Sequence, residues 1–370
     1  MNIVHANKYY HPVVGGVETV VKTLAEGMVE RGHDATVVTA RPRGFGTTEQ
    51  VGGVNVVRTS SLGSVASVPI APIFPLRLRE QYADASIIHH HVPNPLGTVG
   101  DVLQPSECPT VATYHSDIVR QSRLLTVYRP ILERFLDNLD RIFVTSPRLL
   151  EHSEFLRPRA EKCTVVPLSI DIAAHREATV DPFSLPGSAD RPTVLFVGRL
   201  NYYKGVEHLV DAVDHVETDA DFLIVGDGPR AESLHRRASD IERSDRVHFL
   251  GYRSRPELEY CYEQADVFVL PSTEPSEAFG IVQLEAMIHE TPVVNTSLPT
   301  GVPWVSRDGE TGRTVAPADP RALATAVDEL LANREKRRRY GVAAKRRVEE
   351  HFGRSDMLDT VEQEYERLVE

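Results

Sequence analysis

Two glutamates, Glu277 and Glu285, stand in an E-x(7)-E spacing within PSTEPSEAFGIVQLEAMI, residues 271–288. The apolar run ahead of them, Ala265 to Leu270, has the length and residue types of a short buried strand. Pro271, Ser272 and Pro275 then break regular structure, and a helical pattern starts near Gly280 with Ile281, Leu284 and Ile288 on one face. Glu277 therefore falls in a loop at a helix N-terminus and Glu285 about a turn inside the helix. A helix start leaves backbone N–H groups unpaired at the positive end of the dipole, which suits phosphate. Carboxylates would repel that phosphate, but each accepts hydrogen bonds from hydroxyls. A diphosphate with ribose at one end and a sugar at the other has the matching shape. In isolation the spacing would describe a solvated loop Glu and a helix-surface Glu. The strand, Pro-rich loop and Glu-Ala-Phe-Gly that surround it favour a binding site.

A basic counterpart lies upstream. The strand pattern Thr193 to Val197 runs into GRLNYYKG, residues 198–205, with a helix pattern after it. Arg199 offers a rigid fork for phosphate oxygens and Lys204 a compact charge, both at a strand end. Phe222 to Val225 leads into Gly226-Asp227-Gly228-Pro229, a second tight turn at a strand end, and Val247 to Gly251 is a further strand. Asp219-Ala220-Asp221 is a D-x-D by spelling, and no metal is assigned to it.

The first half opens with a strand at Met1 to His5, a loop ending in Gly15-Gly16, a helix over about Val17 to Arg31 and a strand at Ala35 to Thr39. Paired glycines before a helix allow close backbone approach by a ligand, although they also serve any tight turn. The loop lacks G-x-G-x-x-G, so NAD is not inferred. His115 and Asp117 end the strand Val111 to Tyr114, and strand carboxyl ends line the crevice of an open α/β sheet. His115 is read as functional, and Asp117 stays open between an acceptor contact and a structural role. The consecutive His89, His90 and His91 alternate faces in a strand, so one inward His is expected and no metal site.

EAFGIVQLEAM resembles the donor-site motif of retaining glycosyltransferases of family 4, whose two-domain architecture is called GT-B. GRLNYYKG is similar to that family's G-R-L-x(3)-K-G. With VGDGP, the resemblance covers nearly the whole chain. It implies an α/β fold of two facing, doubly wound, Rossmann-like domains with a nucleotide-sugar cleft between them. The expected divisions are 1–170 on the acceptor side, a linker at 171–192, a donor domain at 193–352 and a helix at 353–370 crossing back to the first domain. It implies that Gly15 and Gly16 face the donor phosphates and that His115 contacts the transferred sugar. Gly226, Phe279, Gly280, Ile281 and Glu285 would line the donor, with Arg199, Lys204 and Glu277 at the reacting centre. The expected reaction moves a hexose from a nucleoside diphosphate sugar with retained configuration, using basic residues in place of a metal and no cofactor. No secure nucleophile is evident, so same-face attack and double displacement both stand. TYHSDIVRQ and HVPNP resemble segments of mannosyl- and rhamnosyl-type transferases of cell-surface glycan and glycolipid assembly. GDP-mannose therefore ranks first as donor, ahead of UDP-glucose and UDP-N-acetylglucosamine. An epimerase or hydrolase on the same fold, or a binding protein without turnover, are the other readings.

Composition agrees with this class. The 370 residues suit two domains, and a net charge of −12 argues against a broad nucleic-acid surface. Cys108, Cys163 and Cys261 are too scattered for a disulfide framework, so a reducing cytoplasm is expected. The chain enters a strand pattern at once, and no signal peptide is read. A basic amphipathic helix from Arg120 to Asp140, with Arg123, Arg129 and Arg134, either covers the sheet or lies on an anionic membrane surface beside a lipid-linked acceptor.

Overall fold

The computed structural model describes residues 1–13, 15–65, 68–118 and 122–370, and the backbone alone for 122–125. Val14 and Arg120, and the side chain of Arg123, lie outside the described residues. The chain divides into two compact units, Met1–Leu168 with Ser355–Glu370, and Ser169–Arg354.

The first unit holds β1 (Asn2–Ala6), β2 (Asp34–Ala40), β3 (Thr47–Val51), β4 (Val54–Thr59), a small hairpin of β5 (Ser64–Val65) and β6 (Val68–Pro69), β7 (Ile87–Val92), β8 (Thr110–Tyr114), β9 (Arg141–Val144) and β10 (Cys163–Val165). Eight of them form one sheet in the order β10-β9-β8-β7-β1-β2-β4-β3, antiparallel only at the β3–β4 edge. Helices cover the sheet on both faces, which is why its inner strands read as continuous apolar runs. The helix Ser122–Asn138 buries Leu132, Phe135 and Leu136 against β8 and β9 and leaves Val127 exposed, while its Arg129 pairs with Glu133 and Glu154. From Ser355 on, the last helix, Arg354–Val369, belongs to this unit. Its Glu362 binds Arg31 and His33, and Glu364 pairs with Arg141.

The expectation of a single inward histidine on β7 does not hold. All six residues of β7 are buried. His90 points to one face, edge-on to Phe135, whereas His89 and His91 share the other with His5 of β1. A strand in the middle of a doubly covered sheet has no solvent face, so alternation separates His90 from its neighbours without exposing any of them.

The second unit carries β11 (Thr193–Val197), β12 (Asp221–Val225), β13 (Val247–Gly251), β14 (Val267–Leu270), β15 (Val293–Thr296) and β16 (Gly312–Val315), an all-parallel sheet in the order β13-β12-β11-β14-β15-β16. This is a doubly wound arrangement with its switch point between β11 and β14, where ligands bind in such sheets. Residues 171–192 cluster with this unit: Ser188 N–H and the Arg191 guanidinium donate to Asp221, and Asp181 N–H donates to the Pro256 carbonyl.

Candidate functional site

The switch point of the second unit joins the two motifs. GRLNYYKG follows β11 and PSTEPSEAFG follows β14, and Thr273 N–H donates to the Tyr203 carbonyl at 2.9 Å between them. Lys204 Nζ lies 2.7 Å from Glu277 Oε2, with both side chains 9% exposed. Ser272 Oγ donates to the same oxygen at 3.1 Å, and the Ser272 carbonyl is in turn held by Thr296 Oγ1 at 2.6 Å. Burial works to lower the Lys204 pKa, but the Glu277 charge and hydrogen bond outweigh it and hold the ammonium above its ordinary value. Lys204 is thus a fixed cation. Arg199 is exposed two residues beyond the strand's end, placed to reach a bound anion.

Gly280 caps the helix Ile281–Ile288 with φ of +73°, and a Cβ there would sit 2.6 Å from Leu270 Cδ2. Only glycine fits that turn. Half-buried Ile281 opens the helix, and Leu284 and Ile288 bury its inner face. The Phe279 ring is buried among Trp304 and Phe352, so its side chain serves the core and only its backbone is left for a ligand. Glu285 is half-buried, and its Oε2 accepts from the Tyr262 hydroxyl at 2.7 Å, which leaves Oε1 for another donor. Gly226 follows β12 at φ of +131°, its Cα so near the Gly198 carbonyl that a Cβ would lie 2.0 Å from the oxygen. The structure therefore brings Lys204 and Glu277 into contact and places Gly226 just past β12, Gly280 at the start of the helix that follows β14, and Glu285 inside that helix. Asp221 of the D-x-D is engaged by Ser188, Arg191 and His248 and holds the chain ahead of β11.

Sequence reading missed the support behind Glu285. Tyr262 is fully enclosed and stacks on His289 at 5.8 Å, and His289 Nε2 lies 2.7 Å from buried Glu259. The helix Arg255–Gln264 carries Arg255, Glu259 and Tyr262 at helical spacing, the one signal that could have marked them.

In the first unit, Gly16 begins the helix Gly16–Glu30, and a Cβ on it would meet nothing within 4 Å. A Cβ on Gly15 would overlap the Glu18 carboxylate. Lys8 and Glu18, also missed, feel each other's charge here; burial lowers the Lys8 pKa and raises that of Glu18, and each charge partly offsets the other's shift. His115 follows β8, its backbone N–H bonded to the Val92 carbonyl and its ring 3.2 Å from His91. Asp117 Oδ1 accepts from Tyr114 and Ser153, both at 2.7 Å, which favours the structural side of its open reading. His5, His89 and His91 each bring one nitrogen within 4.8 Å of the others. His5 Nδ1 and His91 Nε2 face each other at 3.2 Å, however, and both His89 nitrogens are turned to Tyr365 and Thr113, so the lone pairs are aimed at these neighbours and not at one central point.

Residues 14–174 match the family described as Glycosyltransferase Family 4 and residues 179–347 the glycosyl transferases group 1. The chain is 32% identical over 386 residues to the O-antigen chain mannosyltransferase C of Escherichia coli, covering 100% of this chain and 99% of that one. It is 32% identical to the D-rhamnosyltransferase WbpZ of Pseudomonas aeruginosa over 95% of its own length and 92% of the relative's. Among solved structures, sucrose-phosphate synthase from Thermosynechococcus elongatus shares the fold with a TM-score of 0.81 at 25% identity, over 99% of this chain and 98% of that one. With both halves matched and a relative aligned along its full length, the chain belongs to the group 1 glycosyltransferases of family 4, proteins of GT-B fold.

Proposed function

We propose that the chain transfers mannose from GDP-mannose, with retention of configuration and without a metal, to a glycan or lipid-linked acceptor. The observation that carries the catalytic part is the buried Lys204–Glu277 pair, set just before the helix Ile281–Ile288. In this reading the bond from the sugar's anomeric carbon to the diphosphate oxygen breaks, and its electron pair stays on the phosphate. Lys204, Arg199 and the helix N-terminus stabilise that growing charge. Glu277 and His115 hold hydroxyls of the sugar, and Glu285 Oε1 holds the ribose diol. The acceptor oxygen bonds the anomeric carbon on the face being vacated, and its proton passes to the leaving phosphate. The axial 2-hydroxyl of mannose falls to His115 or Glu277. The mannosyl choice is supported by the Escherichia coli relative, a mannosyltransferase, whereas the Pseudomonas aeruginosa relative is a D-rhamnosyltransferase.

The three cysteines are free, which suits a cytoplasmic setting, and a lipid-linked acceptor would bring the protein to the inner membrane face. No helix among the described residues is long and apolar enough to cross a membrane.

Titration by calorimetry with GDP, UDP, GDP-mannose and UDP-glucose tests the donor. Binding of the guanine pair and weak response to the uracil pair is the expected result. Tight UDP binding without response to GDP would overturn the mannose assignment and leave glycosyl transfer in place. A second expected outcome is full activity in excess EDTA, because Lys204, Arg199 and the helix start supply the positive charge a cation would otherwise bring. Loss on chelation, restored by Mn²⁺ or Mg²⁺, would contradict it.

A further inference from the structure

Three histidines from three adjacent strands form a continuous chain in the first unit. Strands β1, β7 and β8 lie side by side, and His5, His91 and His115 stand at or just beyond their carboxyl ends. His5 Nδ1 is 3.2 Å from His91 Nε2, and His91 Nδ1 is 3.2 Å from His115 Nε2. The rings are buried, with exposures of 0%, 0% and 5%. His89 stands outside the chain, because its nitrogens are taken by the Tyr365 hydroxyl and Thr113 Oγ1. Burial lowers the pKa of His5 and His115 to about 3 and that of His91 well below its ordinary value, with the Lys8 charge adding to the effect at His115. All three rings are therefore neutral near pH 7.

A neutral imidazole carries one N–H, so three rings carry three protons. Two of them make the two inter-ring hydrogen bonds, which forces all the tautomers to run the same way. The third proton sits at one end, on His5 Nε2 or on His115 Nδ1. His5 Nε2 is buried without a hydrogen-bond partner among the described residues. A buried, unpaired N–H is rarer in proteins than a buried, unpaired acceptor. The chain therefore runs from His5 Nδ1–H to His91, and from His91 Nδ1–H to His115 Nε2.

We propose that His5 and His91 are positioning residues that fix His115 as its Nδ1–H tautomer, so that His115 donates a hydrogen bond to an oxygen of the transferred sugar. The inference rests on the reading of His115 as a sugar contact. It adds that this contact is a donor and that its direction is set two strands away. An Nδ1–H donor binds a sugar oxygen through its lone pair and leaves that hydroxyl's proton free for a carboxylate.

The test is the nitrogen NMR spectrum of histidine-labelled protein, in which protonated and bare ring nitrogens are well separated. The His115 signals are assigned by their loss in His115→Gln. The expected spectrum of the free wild-type protein shows Nδ1 protonated and Nε2 bare. The opposite pattern overturns the proposal with no variant needed. His91→Leu removes the donor to Nε2 and is expected to give a mixed tautomer, whereas His91→Gln, whose amide N–H can donate, keeps the Nδ1–H form. With GDP-mannose and GDP as probes, His91→Leu is expected to cut the extra affinity that the sugar confers by about tenfold, the scale of one hydrogen bond, with GDP binding unchanged. His91→Gln restores it. If His115→Ala leaves that extra affinity intact, the sugar contact itself is wrong. If His115→Ala removes it and His91→Leu does not, the positioning role alone is refuted.

Discussion

Lys204→Ala is expected to lower kcat by about 100- to 1,000-fold while donor affinity changes far less, the usual result of deleting one group that meets charge developing in a transition state. The ammonium is already in place, 2.7 Å from Glu277 and almost wholly enclosed, so no reorganisation is needed when the phosphate leaves. The variant also strands the Glu277 carboxylate in a buried site, and this separable effect will show as a lower Tm. Its pH signature has a definite sign. A folded pKa above the ordinary 10.5 means the pair's contribution to stability is fully present below that value and is lost as pH rises through the raised one. Steady-state kinetics beside thermal melts at pH 7 and in the alkaline range separate the two effects. Near-normal turnover in Lys204→Ala would remove it from the leaving-group role.

The second large effect is structural. Glu259 is 1% exposed and is contacted by His175 at 3.2 Å, His289 at 2.7 Å and Arg255. Removing one partner from such a buried cluster leaves the others uncompensated, so Glu259→Ala is expected to cost roughly 3–5 kcal/mol and lower Tm by roughly 10 °C. Burial works to raise the Glu259 pKa, but hydrogen bonds from His175 and His289 and the nearby Arg255 charge hold it below the ordinary 4.5. The stabilisation is therefore present above pH 4.5 and fades as pH falls through the lower folded value. The gap in Tm between wild type and variant should be widest near neutrality and narrow in acid, and equal melting temperatures at pH 7 would refute the prediction. Because His289 stacks on Tyr262 and Tyr262 holds Glu285, the variant should also bind the nucleotide more weakly.

These two residues mark what could and could not be read in advance. Lys204 and Glu277 were legible because each sits in a strand–turn–helix segment whose apolar run, glycine and helix start are all local. A strand end in a parallel sheet points its loop toward the ligand edge whatever else the chain does. The doubly wound class was legible for the same reason, from repeated alternation of strand and helix patterns. The direct contact between Lys204 and Glu277 was not, since it needs β11 and β14 to be neighbours although β12 and β13 intervene in sequence. The histidine chain depended on tertiary structure even more. Its links span 86 and 24 residues, and they exist only because β1, β7 and β8 align in a register that puts three rings on one face. Glu259 lies in a charged helix with no local signal of burial, and it is buried because its helix turns that face toward His289 and His175. Local periodicity determines which segments become strands, helices and turns, because those preferences act over a few residues. Strand order, register and the facing of helices are decided by burying the whole apolar surface at once, and that collective choice settled which polar groups meet.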